Sequence, residues 1–415
     1  MGAVPSTSGP RSDDELDDEE PRGPAPTTTR THLLSLCRAH NKFAVALYQE
    51  FCKDGKKPNS LLLTPLGIGL GLGMAYIGAM ADTQTEMYNA FFLKEVEACH
   101  ILPAYAAIHW DSLRSSMPKG CHIETAIRLF AQMEHKMTNE YEEILTTYEI
   151  SRIRHVDFKR RPEVARKEIN KWVEDKTHGR LKDVLPMGYV DRDTKLFLIC
   201  GLYMKVQWYH AFDPKRTCKM AFHLQGKEII EVNMMNQQNT FKVGFIQKVD
   251  ADVLEMPFAN THMKMFIFLP RKLDGISKIE KNLSRSMVHQ LHNHLTEEYV
   301  DVFLPKFKFE AGCGVSEFIQ KVGVKNAFYE NKADFSGIDG SNELFLWRVF
   351  HHVMLEIDEA ANETPAMTSF HDVGVADTKP KKIFKADHPF VFYIRDERTD
   401  AVVLIGRSVR PQYNL

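Results

Sequence analysis

Phe197 to Met204 reads FLICGLYM, and the chain continues Lys205-Val206-Gln207-Trp208-Tyr209-His210-Ala211-Phe212. The uncharged run, closed by a lysine, reads as a β-strand. Met265–Leu269, Val300–Phe309, Leu344–Ile357 and Val391–Ile405 read the same way. Between strands, Ala165 to Leu185 sets Ile169, Trp172 and Val173 at helical spacing and then turns at Gly179. Strands and helices interleave without an internal repeat, which predicts a mixed α+β chain with long strands. One large domain is expected over 31–415, behind a tail at 1–30.

Composition agrees. At 415 residues and 44% hydrophobic the chain is long enough to bury a large core. Lys plus Arg total 53 against 55 Asp plus Glu, a net charge of −2, so no global field draws it to nucleic acid or to an acidic membrane. The first thirty or so residues combine Pro, Ser and Thr with the acidic run Asp13, Asp14, Glu15, Asp17, Asp18, Glu19 and Glu20. Such a segment cannot bury enough apolar surface to offset its chain entropy, and it lacks the basic and apolar regions of a conventional signal peptide. Cys37, Cys52, Cys99, Cys121, Cys200, Cys218 and Cys313 are odd in number and include no C-x-x-C pair. Free thiols are expected, with a cytoplasmic or nuclear location favoured and unconventional export the alternative.

Ser60 to Ala81, SLLLTPLGIGLGLGMAYIGAMA, carries no charge over a length that could span a bilayer. Pro65 and the glycines at 67, 69, 71, 73 and 78 lower its helix propensity and apolarity, so a tightly packed buried helix is expected and no membrane span. Gly67-x-Gly69-x-x-Leu72 lacks the third glycine of a dinucleotide fingerprint, and no cofactor is expected.

From about residue 39 to 411, ordered blocks resemble the serpins. They are Asn59-Ser-Leu-Leu-Leu-Thr64-Pro65-Leu66, Gly78-Ala79 with Thr83-x-Thr85-x-Met87, and Glu168-Ile169-Asn170-x-Trp172-Val173-Glu174-x-x-Thr177-x-Gly179. Leu202-Tyr203-Met204-Lys205-x-x-Trp208-x-x-x-Phe212 follows, then Val302-Phe-Leu-Pro-Lys-Phe-Lys-Phe-Glu310, Ala333-Asp-Phe-Ser-Gly-Ile338 and Phe384-x-Ala386-Asp387-His388-Pro389-Phe390. The resemblance implies three β-sheets, eight or nine helices and an exposed reactive-centre loop over about 359–382. In inhibitory members a serine protease cuts that loop, and the freed segment inserts into the main sheet as a new strand while the protease is held as an acyl-enzyme. The resemblance places Trp208 at the breach of that sheet and His351 in the hydrogen-bonded shutter beneath it. Cys200 stands where the family has an asparagine, and Thr64 and Gly67 where it has serines.

The loop itself departs from the inhibitory pattern. Family hinges read Glu-Glu-Gly-Thr-Glu, then four small residues and a threonine; here Glu359, Glu363, Ala366 and Thr368 match, but Ala361, Asn362, Thr364, Pro365 and Met367 do not. Alternation turns Asn362, Thr364, Ala366 and Thr368 inward on insertion. Asn362 brings an amide that must be satisfied, and Pro365 brings no N–H to a strand paired on both sides. A non-inhibitory or substrate-like serpin is therefore expected. The alternative is a working inhibitor with its bait bond near Val375-Ala376, where a valine suits an elastase-like pocket. A third reading is a binding serpin, in which Lys379, Lys381, Lys382 and Lys385 join Lys159, Arg160 and Arg161 as an anionic-ligand patch. The chain end, Arg410 to Leu415, carries no endoplasmic-reticulum retrieval signal, which weighs against a resident chaperone.

No G-x-S-x-G, H-E-x-x-H or Cys/His constellation is present, so no catalytic residue and no metal are expected. His289, His292 and His294 read as solvated histidines on a surface helix, the first two one turn apart. Asn282 and Asn362 head sequons that matter only on the secretory route. The chain is expected to act as a monomer.

Overall fold

A computed structural model describes residues 28–53, 59–91, 93–94, 96–114, 121–148, 150–224, 228–359 and 382–411. Its first half runs α1 (Arg30–Cys52), β1 (Leu61–Leu63), α2 (Pro65–Ile77), α3 (Ala81–Ala90), α4 (Ala98–His109), β2 (His122–Gln132), α5 (Asn139–Thr147), β3 (Arg154–Val156), α6 (Pro162–Lys176) and β4 (Leu196–Lys205). There follow β5 (Cys218–His223), β6 (Ile229–Ile246), β7 (Ala251–Pro257), β8 (Met263–Pro270), α7 (Ile276–Asn282), α8 (Arg285–Gln290), β9 (Thr296–Pro305) and β10 (Phe307–Gly314). The last are α9 (Ser316–Val322), α10 (Ser336–Asp339), β11 (Leu346–Ile357), β12 (Lys382–Lys385), β13 (Phe390–Asp396) and β14 (Val402–Ser408).

A five-stranded sheet has the order β10-β11-β4-β2-β3, and nine further strands form a second hydrogen-bonded unit. The three expected sheets are met with a difference. Strand β6 is 18 residues long and pairs with β5 and β9 along most of its length and with β7 at its end, so two of the sheets are continuous through one strand.

Two runs read as single strands are each two. Val300–Phe309 divides at Lys306, where β9 of the large unit ends at Pro305 and β10 of the five-stranded sheet begins. The apolar alternation slips by one residue at the break, from Val300, Val302 and Leu304 to Phe307 and Phe309, and Pro305, with no N–H for a ladder, marks it. Val391–Ile405 divides at a tight turn: Asp396 accepts from the backbone N–H groups of Arg398 (2.7 Å) and Thr399 (3.3 Å), and Asp400 takes a left-handed φ of 62°.

The glycine-rich run forms α2, buried along its length except at its last residue. Thr64 caps it by accepting from the Gly67 N–H, and Pro65 occupies the first turn, where a missing N–H costs nothing. A Cβ at Gly69 would lie 2.7 Å from the Tyr105 ring, and one at Gly71 would lie 2.7 Å from Leu198 on β4. Small residues thus let the helix lie directly on the sheet and on α4, where larger ones would hold it away. Among the described residues no helix is long and apolar enough to cross a membrane.

Helix α6 covers the opposite face of the five-stranded sheet. Ile169, Trp172 and Val173 pack with Phe130, Phe197, Ile199 and Phe350, and the Arg128 guanidinium stacks 4.6 Å from the Trp172 ring. Gly179, at φ 73°, turns the chain after the helix, where its spacing predicted. All seven cysteines are free.

Gly71→Ala is expected to overpack the α2–β4 contact and lower stability by about 1–3 kcal/mol. Urea denaturation checks it, and an unchanged midpoint would show that the contact yields.

Candidate functional site: a closed seam between parallel strands

The site expected from the loop's chemistry lies between β4 and β11. These strands pair in parallel from Leu346↔Leu196 to Glu356↔Lys205, with one irregularity between Leu346 and Arg348. No strand lies between them. Their side chains alternate between the core under α2, which takes Leu198, Leu202, Met204, Val353 and Leu355, and the core under α6, which takes Phe197, Ile199, Tyr203, Phe350 and Met354. Both faces of the seam are therefore dry.

His351 sits at its middle, fully buried. Its Nε2 accepts from the Thr64 backbone N–H at 3.0 Å, which leaves the ring proton on Nδ1, and Nδ1 finds no partner among the described residues. Burial, reinforced by the neighbouring His352, pushes its pKa down to about 3, so the ring is neutral across the physiological range. Thr64 Oγ1 donates to the Val403 carbonyl at 3.2 Å, and Cys200 Sγ reaches the Gly67 carbonyl at 3.5 Å. Thr64 thus ties the start of α2 to β14 of the large unit, and Cys200 ties it to the five-stranded sheet. Cys313 of β10 and Cys200 of β4 flank His351 in register on either side, and burial pushes the Cys200 thiol well up.

At the far end the seam is closed by charge. Lys205 Nζ lies 3.0 Å from Asp358 and 3.5 Å from Glu356, while Lys308 lies 3.0 Å from Glu356 across the β10–β11 pair. Trp208, stacked on Phe258, donates its indole N–H to the Asp358 carbonyl at 3.0 Å. Glu359, the last described residue before the loop, is held three ways. Lys306 reaches its carboxylate at 2.7 Å, Thr217 donates to it at 2.9 Å, and the Phe212 N–H donates to its carbonyl at 3.0 Å. Burial alone raises the Glu359 pKa, but the bonds from Lys306 and Thr217 outweigh it and the net shift is downward.

Of the residues singled out from the sequence, Thr64, Cys200, His351, Trp208 and Glu359 all lie along this seam. Ala361, Asn362, Thr364, Pro365, Thr368, Val375 and Ala376 lie outside the described residues, as do Lys379 and Lys381. Lys382 and Lys385 have carboxylate neighbours, Asp252 at 3.9 Å and Asp387 at 3.0 Å. His289 and His292 lie in consecutive helical turns, the last of α8 and the 3₁₀ turn that follows it, and both are exposed, as is His294. His289 bonds Asp400 at 2.7 Å. The reading missed the roles of Lys205, Lys306, Lys308, Glu356 and Asp358. The available signal was the alternation of Lys306 and Lys308 against the acidic alternation of Glu356 and Asp358.

A carboxyl held below its ordinary value near 4.5 stabilises the fold fully above that pH and loses this contribution as pH falls through the lower folded value. Glu359→Gln should therefore lower the urea midpoint by a constant amount from neutral pH down to about pH 5, with the gap from the parent narrowing in more acid solution. A gap as wide at pH 3 as at pH 7 would remove Glu359 from the account.

Comparison with known proteins gives the arrangement its family. The chain is 31% identical over 390 residues to leukocyte elastase inhibitor A of Mus musculus, covering 91% of this chain and 99% of that one. Uncleaved ovalbumin superimposes with a TM-score of 0.83 at 26% identity, over 91% of this chain and all of ovalbumin, 100%. Human thyroxine-binding globulin complexed with its hormone superimposes with a TM-score of 0.82 at 25% identity, over 92% of this chain and 100% of that one. The family model described as Serpin (serine protease inhibitor) matches residues 38–411, and the chain belongs to the serpins.

Proposed function

We propose that this serpin is cut by a serine protease as a substrate, or inhibits it weakly, and does not trap it efficiently. The observation that carries the reading is the hinge sequence Ala361-Asn362-Glu363-Thr364-Pro365 set against a seam whose two strands already satisfy each other. A strand inserted there must supply N–H groups to both neighbours, and Pro365 supplies none. Losing one ladder bond costs about 1–3 kcal/mol. On the α2 side the upper seam presents Leu202, Met204, Val353 and Leu355, among which the Asn362 amide would find no side-chain partner, at a further cost of roughly 1–3 kcal/mol. Each ~1.4 kcal/mol on the insertion barrier is a tenfold slowing. A hundredfold delay lets the acyl-enzyme hydrolyse before the protease is trapped.

The mechanism asks for no nucleophile from this chain. A competing reading, a working inhibitor cut near Val375-Ala376, is favoured by the likeness to an elastase inhibitor and by a valine suited to a small apolar pocket. One measurement separates them: incubation with elastase-like proteases, read as the ratio of trapped complex to cleaved product on a denaturing gel. The substrate reading expects mostly cleaved product. It also expects Pro365→Ala to raise the trapped fraction most among single changes, and Ala361→Gly, Asn362→Thr, Thr364→Ala, Pro365→Ala and Met367→Ala together to raise it further. Near-unit trapping by the parent chain overturns the reading.

Cleavage between Ser369 and Lys382 gives a second check. If the hinge obstructs insertion, the nicked chain melts close to the intact one. A rise of tens of degrees would show that the hinge inserts.

A further inference from the structure

Far along the chain from the seam residues, the start of α4 gathers three side chains of different donor chemistry. Glu97 is the N-cap residue, but its side chain makes no capping bond. Cys99 follows in the first turn as a free, exposed thiol. His100 completes the turn, its backbone N–H donating to the Glu97 carbonyl at 2.9 Å and its Nε2 lying 3.7 Å from the Glu97 carboxylate. One ligand atom from each of the three lies within 4.8 Å of the others. A second element reaches the same place: His32, in the first turn of α1, stacks its ring on that of His100, with centroids 3.6 Å apart and planes at 20°.

We propose that Glu97, Cys99 and His100 bind a borderline-soft divalent cation of the Zn2+ type. A thiolate, an imidazole and a carboxylate together match the ligand set of zinc, whereas magnesium and calcium take oxygen ligands. Bonds of about 2.0–2.3 Å place tetrahedral ligand atoms roughly 3.3–3.7 Å apart. The closure needed is therefore on the order of 1 Å, within reach of side chains on an open surface. Three protein ligands leave a fourth position, which water fills or which His32 takes by rotating out of its stack. Binding releases the thiol proton to solvent and leaves the charge of the cation balanced by the thiolate and the carboxylate. Where His32 takes the fourth position, the ion also joins α1 to α4.

The thiols supply the test. Cys99 and Cys218 are both exposed, and only Cys99 has the other donors beside it. The full chain, freed of metal with a chelator, is alkylated with iodoacetamide with and without Zn2+, and the rate at each cysteine is read by peptide mass. Zn2+ at about ten times its Kd should slow Cys99 roughly tenfold and leave Cys218 unchanged, with Mg2+ doing neither. In His100→Ala and in Glu97→Gln the protection should fall toward none. Co2+ added to the parent chain should give a near-ultraviolet thiolate-to-cobalt band that is missing in Cys99→Ser, a readout that needs no folded His100 variant. Equal slowing of both cysteines, protection that survives His100→Ala, or no cobalt band overturns the site.

Discussion

The parallel pairing of β4 with β11 is the contact on which the rest of the molecule depends. Parallel ladders are slightly weaker per residue than antiparallel ones and persist when both faces are covered. Here α2 covers one face and α6 the other, and each helix rests on both strands or on the strands beside them. Opening the seam therefore breaks more than a ladder. It must slide Ile169 and Trp172 over Phe197 and Phe350, and it must carry the start of α2, which His351 and Cys200 hold by backbone bonds. Packed layers of this density shift between discrete arrangements and do not stretch.

The two ends of the latch work by different physics. At the middle, the His351 ring is neutral because it is buried, and its bond to Thr64 is unaffected by protons or salt over the physiological range. At the end, Lys205, Lys306 and Lys308 meet Glu356, Asp358 and Glu359 at partly buried positions, where an isolated pair is worth little but removal of one member leaves the others uncompensated. Acid acts on the second latch through Glu359, and on the first only as the pH nears the His351 value of about 3.

Most of this was legible in the sequence, and the remainder was illegible for definite reasons. FLICGLYM announced β4, the helical spacing of Ile169, Trp172 and Val173 announced α6, and the ordered blocks placed Thr64, Trp208 and His351 along one sheet. Periodicity reports which face a residue takes within its own segment. It does not report that the chain leaves one sheet after Pro305 and enters another at Phe307, since a slip of one residue in the alternation also fits a bulge within a single strand. Nor does it report that Glu359 finds Lys306 53 residues away. Cys200 stands in place of the family's asparagine, and it and Thr64 both bond backbone carbonyls, a kind of partner that no side-chain pattern encodes.

The closed seam also bears on why the hinge can differ from those of inhibitory serpins. The β4–β11 ladder is complete as far as Glu356, and the bonds of Glu359 are made to Lys306, Thr217 and Phe212, all within the folded body. Among the described residues, the bonds at this edge end at Glu359. In an inserted strand, residues 361 to 368 would have to share their N–H and carbonyl groups between two neighbouring strands. A proline or an asparagine in that segment would therefore be costly to the inserted form.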